Sequence, residues 1–102
     1  MDTFTIRTDQ GWETVRGHKL TEHFAAHRLK ASEPWKVTHL PTGMIVGPLP
    51  ETLAQARRMA EALEAVAVSW DGQSPRAVLD AVYGQPGAHE AVKAAFALAE
   101  GC

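Results

Sequence analysis

Alternation of apolar and polar residues predicts short strands in the first half of the chain. Residues 4–8 alternate and include β-branched threonines, and residues 13–16 can form a second strand that ends at Gly17. Residues 23–30 fit strand alternation but also helical spacing. We favour the strand, because the Ala-Ser-Glu-Pro sequence that follows is typical of a hairpin loop.

A hairpin is predicted over Trp-Lys-Val-Thr-His-Leu-Pro-Thr-Gly-Met-Ile-Val-Gly, which begins at Trp35. Trp35, Val37 and His39 share one face of its first strand. The opposite face carries the other side chains of this strand: Lys36, Thr38 and Leu40. Pro-Thr-Gly supplies a restricted φ and then a residue that tolerates positive φ, so we expect a tight turn before a return strand over residues 44–46.

Apolar residues spaced three and four apart predict helices in the second half. A helix over residues 52–67 would begin at Thr52, and Gln55 lies at the spacing of a capping box. A serine followed by proline predicts a second helix over residues 75–83. A third is predicted over residues 88–100, and its stripe of small residues can pack on this chain's own core or on a second copy.

These elements predict an α+β fold in a single domain over residues 1–102. A small antiparallel sheet of three to four strands would be built mainly from residues 1–50. The amphipathic helix that begins at Thr52 would cover one face, and a helical pair over residues 75–100 would follow it. The other face of the sheet would remain free to contact a macromolecule.

Composition narrows the class of protein. The apolar fraction of 45% and charged fraction of 22% are those of an ordinary globular domain, and a net charge of −2 gives no global attraction for nucleic acid or anionic membranes. The single cysteine, Cys102, excludes an internal disulfide. The sequence shows neither a signal peptide nor an apolar run long enough to span a membrane, so we expect a cytoplasmic protein.

The chain shows no catalytic signature, so we expect neither an enzyme nor a bound metal or cofactor. His23 and His27 lie four apart, as in helical metal sites, but on a strand this spacing separates them by about 13 Å. His39 could act as a general base, yet no nucleophile accompanies it. We therefore interpret His39 as a residue that forms hydrogen bonds across the sheet.

The candidate partner-binding residues lie on the predicted sheet. Four polar or basic side chains could line its outer face: Arg28, Lys30, Lys36 and Thr38. Trp35 is available there for stacking, and His39 lies beside the turn. This surface suits a protein partner or, alternatively, the phosphate backbone of nucleic acid.

Three segments carry a resemblance to a known group: His-Phe-Ala-Ala-His-Arg, Trp-Lys-Val-Thr-His-Leu-Pro-Thr-Gly and Leu-Ala-Gln-Ala-Arg-Arg-Met-Ala-Glu-Ala-Leu. Over residues 24–63 the chain resembles small uncharacterised proteins of phages, prophages and other mobile elements. The order of strands and helix is also similar to the arm-binding domains of tyrosine integrases, which place a sheet against DNA. In size and acidity the chain is similar to anti-CRISPR proteins, which occlude a partner's surface.

The resemblance implies a non-catalytic protein-binding module of mobile-element type that inhibits a host defence complex. The alternative is a nucleic-acid-binding domain that uses the outer sheet face, as integrase arm-binding domains do. A homodimer is also compatible with the alanine-rich last helix.

Overall fold

A computed structural model describes residues 2–100, without the side chain of Glu100. The strands, in chain order, are β1 Asp2–Thr8, β2 Gly11–Lys19, β3 Phe24–His27, β4 Lys36–His39 and β5 Met44–Ile45. The helices are α1 Leu53–Glu64, α2 Pro75–Tyr83 and α3 Ala88–Ala97, and α3 runs into a short 3₁₀ turn, Leu98–Glu100. The α+β class is confirmed, although the sheet has five strands rather than three to four. Cys102 lies outside the described residues.

The sheet is antiparallel throughout and curls back on itself. Each strand pairs with its neighbour in chain order, and β2 pairs first with β1 and then, beyond Gly17, with β3. A side chain at Gly17 would meet the carbonyl group of Ala26 and the ring of Phe4, so only glycine permits this close approach. At the open ends of the sheet, the N–H of Arg7 donates to the carbonyl oxygen of Gly43 over 2.8 Å.

The central strands β3 and β4 are covered on both faces. On one face Phe24 and Val37 belong to the main core, together with Met59 and Leu63 of α1 and with Trp70. On the other face, a second cluster brings the β1–β2 hairpin onto the sheet through its apolar side chains: Phe4, Ile6, Val15, Ala25 and Leu40. The prediction of a free outer face is therefore wrong at these strands, because the hairpin folds over it.

Several local predictions are confirmed. The segment 23–30 contains a strand rather than a helix, but the strand covers only Phe24–His27. The capping box is complete, since Gln55 N–H donates to the Thr52 hydroxyl and Thr52 N–H donates to the Gln55 side chain, each over 3.1 Å. Helix α2 has its predicted bounds, whereas α1 ends at Glu64 and the last turn of the third helix tightens into a 3₁₀ turn.

The alanine-rich last helix closes the core of its own chain. Ala88, Ala95 and Ala99 are buried in the main cluster, beside Ala56 and Ala60 of α1. Small side chains on both helices allow their backbones to approach closely. None of the helices within residues 2–100 combines the length and apolar character that a membrane crossing requires.

Closure of the sheet at Gly43 can be tested by substitution. Gly43 has a φ of +71°, and a Cβ there would meet the Trp12 ring and the backbone nitrogen of Arg7. We expect Gly43→Ala to lower the free energy of unfolding by about 2–4 kcal/mol, because strain in the left-handed region adds to overpacking. Urea denaturation measures this loss.

Gly11→Ala is the matched control, because Gly11 also has positive φ, +103°, but has open space around its Cβ position. Gly11→Ala should lower the free energy of unfolding by about 1–2 kcal/mol, which is the conformational cost of positive φ alone. Equal losses in the two variants would contradict the packing of Trp12 on Gly43.

Candidate functional site

A basic cleft forms where the ends of β2 and β3 meet the loop that follows β3. It has a volume of about 410 Å³ and is lined by Arg16, Gly17, His18, Arg28, Leu29, Lys30, Ala31 and Trp35. No carboxylate is among these lining residues. The cleft is therefore suited to a ligand that carries negative charge.

Trp35 forms the base of the cleft and orders Arg28 above it. Its side chain is only 7% exposed. The guanidinium carbon of Arg28 lies 4.3 Å from the Trp35 ring centroid, and Arg28 Nη1 donates to the carbonyl oxygen of Ala31 over 2.9 Å. The His18 ring packs against the same indole at a centroid distance of 5.7 Å. Arg28 is thus held in place before any ligand arrives.

Leu29 gives the cleft an apolar element. It is 75% exposed, although it follows a strand whose residues are all buried. The adjacent Lys30 is also exposed, as is Arg16 on β2. An exposed leucine beside these basic groups offers both apolar contact and charge in one small surface.

The structure brings together three of the six predicted contact residues: Arg28, Lys30 and Trp35. Lys36 is half-buried at the start of β4, and Thr38 is buried on the face of that strand that the hairpin covers. His39 is buried on the opposite face. These last three do not line the cleft, and the buried Thr38 and His39 are not part of a free surface.

Sequence reasoning missed Arg16, His18 and Leu29 as members of the cleft. The predicted second strand stopped at residue 16, whereas β2 continues to Lys19 and pairs His18 with Ala26. The signal for this extension was weak, because Gly17 interrupts the pattern and is usually a strand terminator.

His39 is a buried structural residue. Its Nε2 lies 2.6 Å from the carbonyl oxygen of Trp70, and its Nδ1 lies 2.9 Å from the Thr42 hydroxyl. Because a carbonyl only accepts, Nε2 carries the proton and Nδ1 accepts from Thr42. Burial lowers the pKa of His39, and the charge on His23 acts in the same direction. His39 thus ties the Pro-Thr-Gly turn to the loop at Trp70.

His23 has the opposite environment, between two carboxylates. Its Nδ1 and Nε2 lie 2.7 Å from Glu64 and from Asp71, respectively, and its backbone N–H donates to Glu64 over 2.8 Å. Burial alone would lower the pKa of His23, but the hydrogen bonds and charges of Asp71 and Glu64 outweigh it and raise the pKa. Burial alone would raise the pKa of Glu64, but the hydrogen bonds and charge of His23 outweigh burial and lower this pKa.

His27 lies apart from His23, so the two do not form a shared site. The His27 ring is buried and packs edge-on against Phe4, with the centroids 5.9 Å apart. Burial and the charge of Lys36 lower its pKa. Across residues 2–100, no group of three or more His, Cys, Asp or Glu residues is arranged to hold a metal ion.

Comparison with known proteins does not assign this site. No protein-family model matches the chain, and neither a curated protein nor a solved structure shows significant similarity to it.

The His23 cluster predicts a specific pH dependence of stability. A raised histidine pKa stabilises the fold fully below the ordinary value of 6.5, and this contribution is lost as the pH rises through the raised value. The lowered pKa of Glu64 acts in the acid range. Its contribution to the free energy of unfolding is fully present above the ordinary value of 4.5 and is lost as the pH falls through the lowered value. The ion pair is therefore strongest in weak acid.

We expect His23→Gln to lower the free energy of unfolding by about 1–2 kcal/mol near pH 6 and by less near pH 9. Urea denaturation at both pH values measures the difference in free energy of unfolding between wild type and variant. The contributions of the other histidines largely cancel in this difference. Asp71→Asn should have the smaller effect, because the Asp71 side chain is 82% exposed. A loss that is the same at both pH values would contradict the ion pair.

Proposed function

We propose that this protein is a non-catalytic protein-binding module whose basic cleft binds an acidic segment of a partner. The observation that carries this proposal is Leu29, 75% exposed, within a cleft that also presents Arg16, Arg28 and Lys30. Protein interfaces combine an apolar anchor with arginine and a surrounding polar rim. The guanidinium of Arg28, already stacked on Trp35, loses little further freedom when it pairs with a carboxylate.

Three features favour a protein over nucleic acid as the partner. Trp35 is buried beneath Arg28, so its ring cannot stack on a base. The net charge of −2 gives no long-range attraction for a polyanion, on which nucleic-acid binding largely depends. Leu29, finally, has no role in binding a phosphate backbone. Nucleic-acid binding is kept as the alternative.

The class of partner follows from the resemblance to mobile-element proteins. That resemblance implies a component of a host defence complex, which this protein would inhibit by covering an acidic surface. The partner and this mode of action are part of the proposal and are tested with it.

Charge reversal in the cleft tests the proposal. We expect the double variant Arg16→Glu/Lys30→Glu to recover a specific partner from host-cell lysate at least about tenfold less efficiently than wild type, since it opposes an acidic partner with like charge. Leu29→Asp should reduce recovery by a similar factor. Quantitative mass spectrometry of affinity-captured proteins provides the measurement.

Arg57→Glu/Arg58→Glu on α1 is the matched control, because it makes the same change of charge at exposed positions outside the cleft. It should recover the partner as wild type does. Fluorescence anisotropy with random-sequence DNA and RNA at increasing salt tests the alternative. Binding that weakens steeply with salt and disappears in the cleft variant would replace the proposed protein partner with a nucleic acid.

A further inference from the structure

A second cavity, separate from the basic cleft, lies between the helical pair and the main core. Its volume is about 230 Å³. The floor consists of Phe24, Leu63 and Trp70, and the walls come mainly from α2 and α3. The apolar wall residues are Val46, Val78, Leu79, Val82, Val92 and Phe96. This cavity shares no lining residue with the basic cleft.

The mouth of the cavity carries a cationic side chain, Lys93. His89 and Lys93 lie one turn apart on α3 and both line it, whereas none of the described lining residues is a carboxylate. The His89 ring packs against Tyr83 of α2 with a centroid distance of 5.1 Å, which holds the rim together. An exposed lysine at the edge of an apolar cavity is positioned to meet an anionic group.

Among the described residues, the three that form the floor offer no free hydrogen-bond donor to a ligand. The indole N–H of Trp70 donates to the carbonyl oxygen of Leu63 over 2.9 Å. A polar group buried at the floor would therefore lose its hydrogen bonds to water without replacement. Any polar group of an occupant must lie at the mouth, beside Lys93 and His89.

We propose that this cavity binds a small amphipathic monocarboxylate, with its alkyl chain or ring inside and its carboxylate at Lys93. The volume of 230 Å³ lies between that of a cavity of about 150 Å³ that holds benzene and the roughly 300–1,000 Å³ of sites for drug-sized ligands. It therefore suits one short chain or one aromatic ring. The charge at the mouth selects an acid over an amine or a neutral molecule.

Octanoate is the probe, and its neutral and cationic analogues are octanol and octylamine. Isothermal titration calorimetry on the full chain should show that octanoate binds more tightly than octanol by about fivefold, with octylamine weakest. Tryptophan fluorescence should change on binding, because Trp70 lines the cavity whereas Trp12 and Trp35 do not.

Two variants at exposed positions separate the charge from the cavity. Lys93→Met keeps the aliphatic stem but removes the charge, so octanoate should lose its advantage over octanol while octanol binding stays unchanged. Leu79→Trp should block the mouth and weaken both ligands by about tenfold or more. Lys30→Met is the matched control, since it removes a cation from the cleft and leaves octanoate binding intact.

Failure of the carboxylate proposal can be distinguished from failure of the protein-binding function proposed for the basic cleft. Equal affinity for octanoate and octanol in wild type would overturn the carboxylate assignment, and binding unaffected by Leu79→Trp would overturn the site. A dimer in analytical ultracentrifugation that persists in excess octanoate and dissociates in Leu79→Trp would instead show that a second copy occupies the cavity. None of these outcomes depends on a partner for the basic cleft.

Discussion

Burial of β3 and β4 on both faces is the constraint on which the rest of the structure depends. Phe24 and Val37 require the helical layer on one side, whereas Ala25 and Leu40 require the β1–β2 hairpin on the other. Two short antiparallel strands cannot supply either cover themselves. The curl of the sheet, the bend at Gly17 and the docking of α1 all follow from this demand.

Two neighbouring histidines, whose pKa values are shifted in opposite directions, then join the layers. His39 pairs with Phe24 in the sheet, and the carbonyl oxygen of His23 accepts from Leu40 N–H over 2.8 Å. His39 hydrogen-bonds a carbonyl and a hydroxyl group and its pKa is lowered by burial, whereas His23 hydrogen-bonds two carboxylates, which raise its pKa. His39 connects the sheet to the carbonyl group of Trp70. His23 connects the sheet to Glu64 at the end of α1 and to Asp71. The fold thus uses one residue type for two distinct connections.

Local signals were sufficient to predict the elements, but not how the layers assemble. The capping box at Thr52 and the start of α2 depend on residues a few positions apart, so they could be read directly. The covering of the outer sheet face by the β1–β2 hairpin could not be predicted. Thr38 is polar and Ala25 is small, and neither residue signals burial by itself. The cleft was found in part: Arg28 and Lys30 are adjacent to a predicted strand, whereas Arg16 reaches them only through the curl of the sheet. The contacts of Glu64 and Asp71 with His23 could not be predicted either, since each carboxylate lies more than 40 residues from His23 in the sequence.

The way in which the sheet closes has a consequence for its local dynamics. Beyond its apolar cluster, the β1–β2 hairpin is joined to the turn before β5 by the hydrogen bond from Arg7 to Gly43. Opening of this hairpin would leave the helical layer and the main core assembled, so the hairpin is a natural unit of sub-global unfolding. During such an opening, Thr38 would meet solvent, and a surface that is hidden in the closed molecule would become transiently accessible.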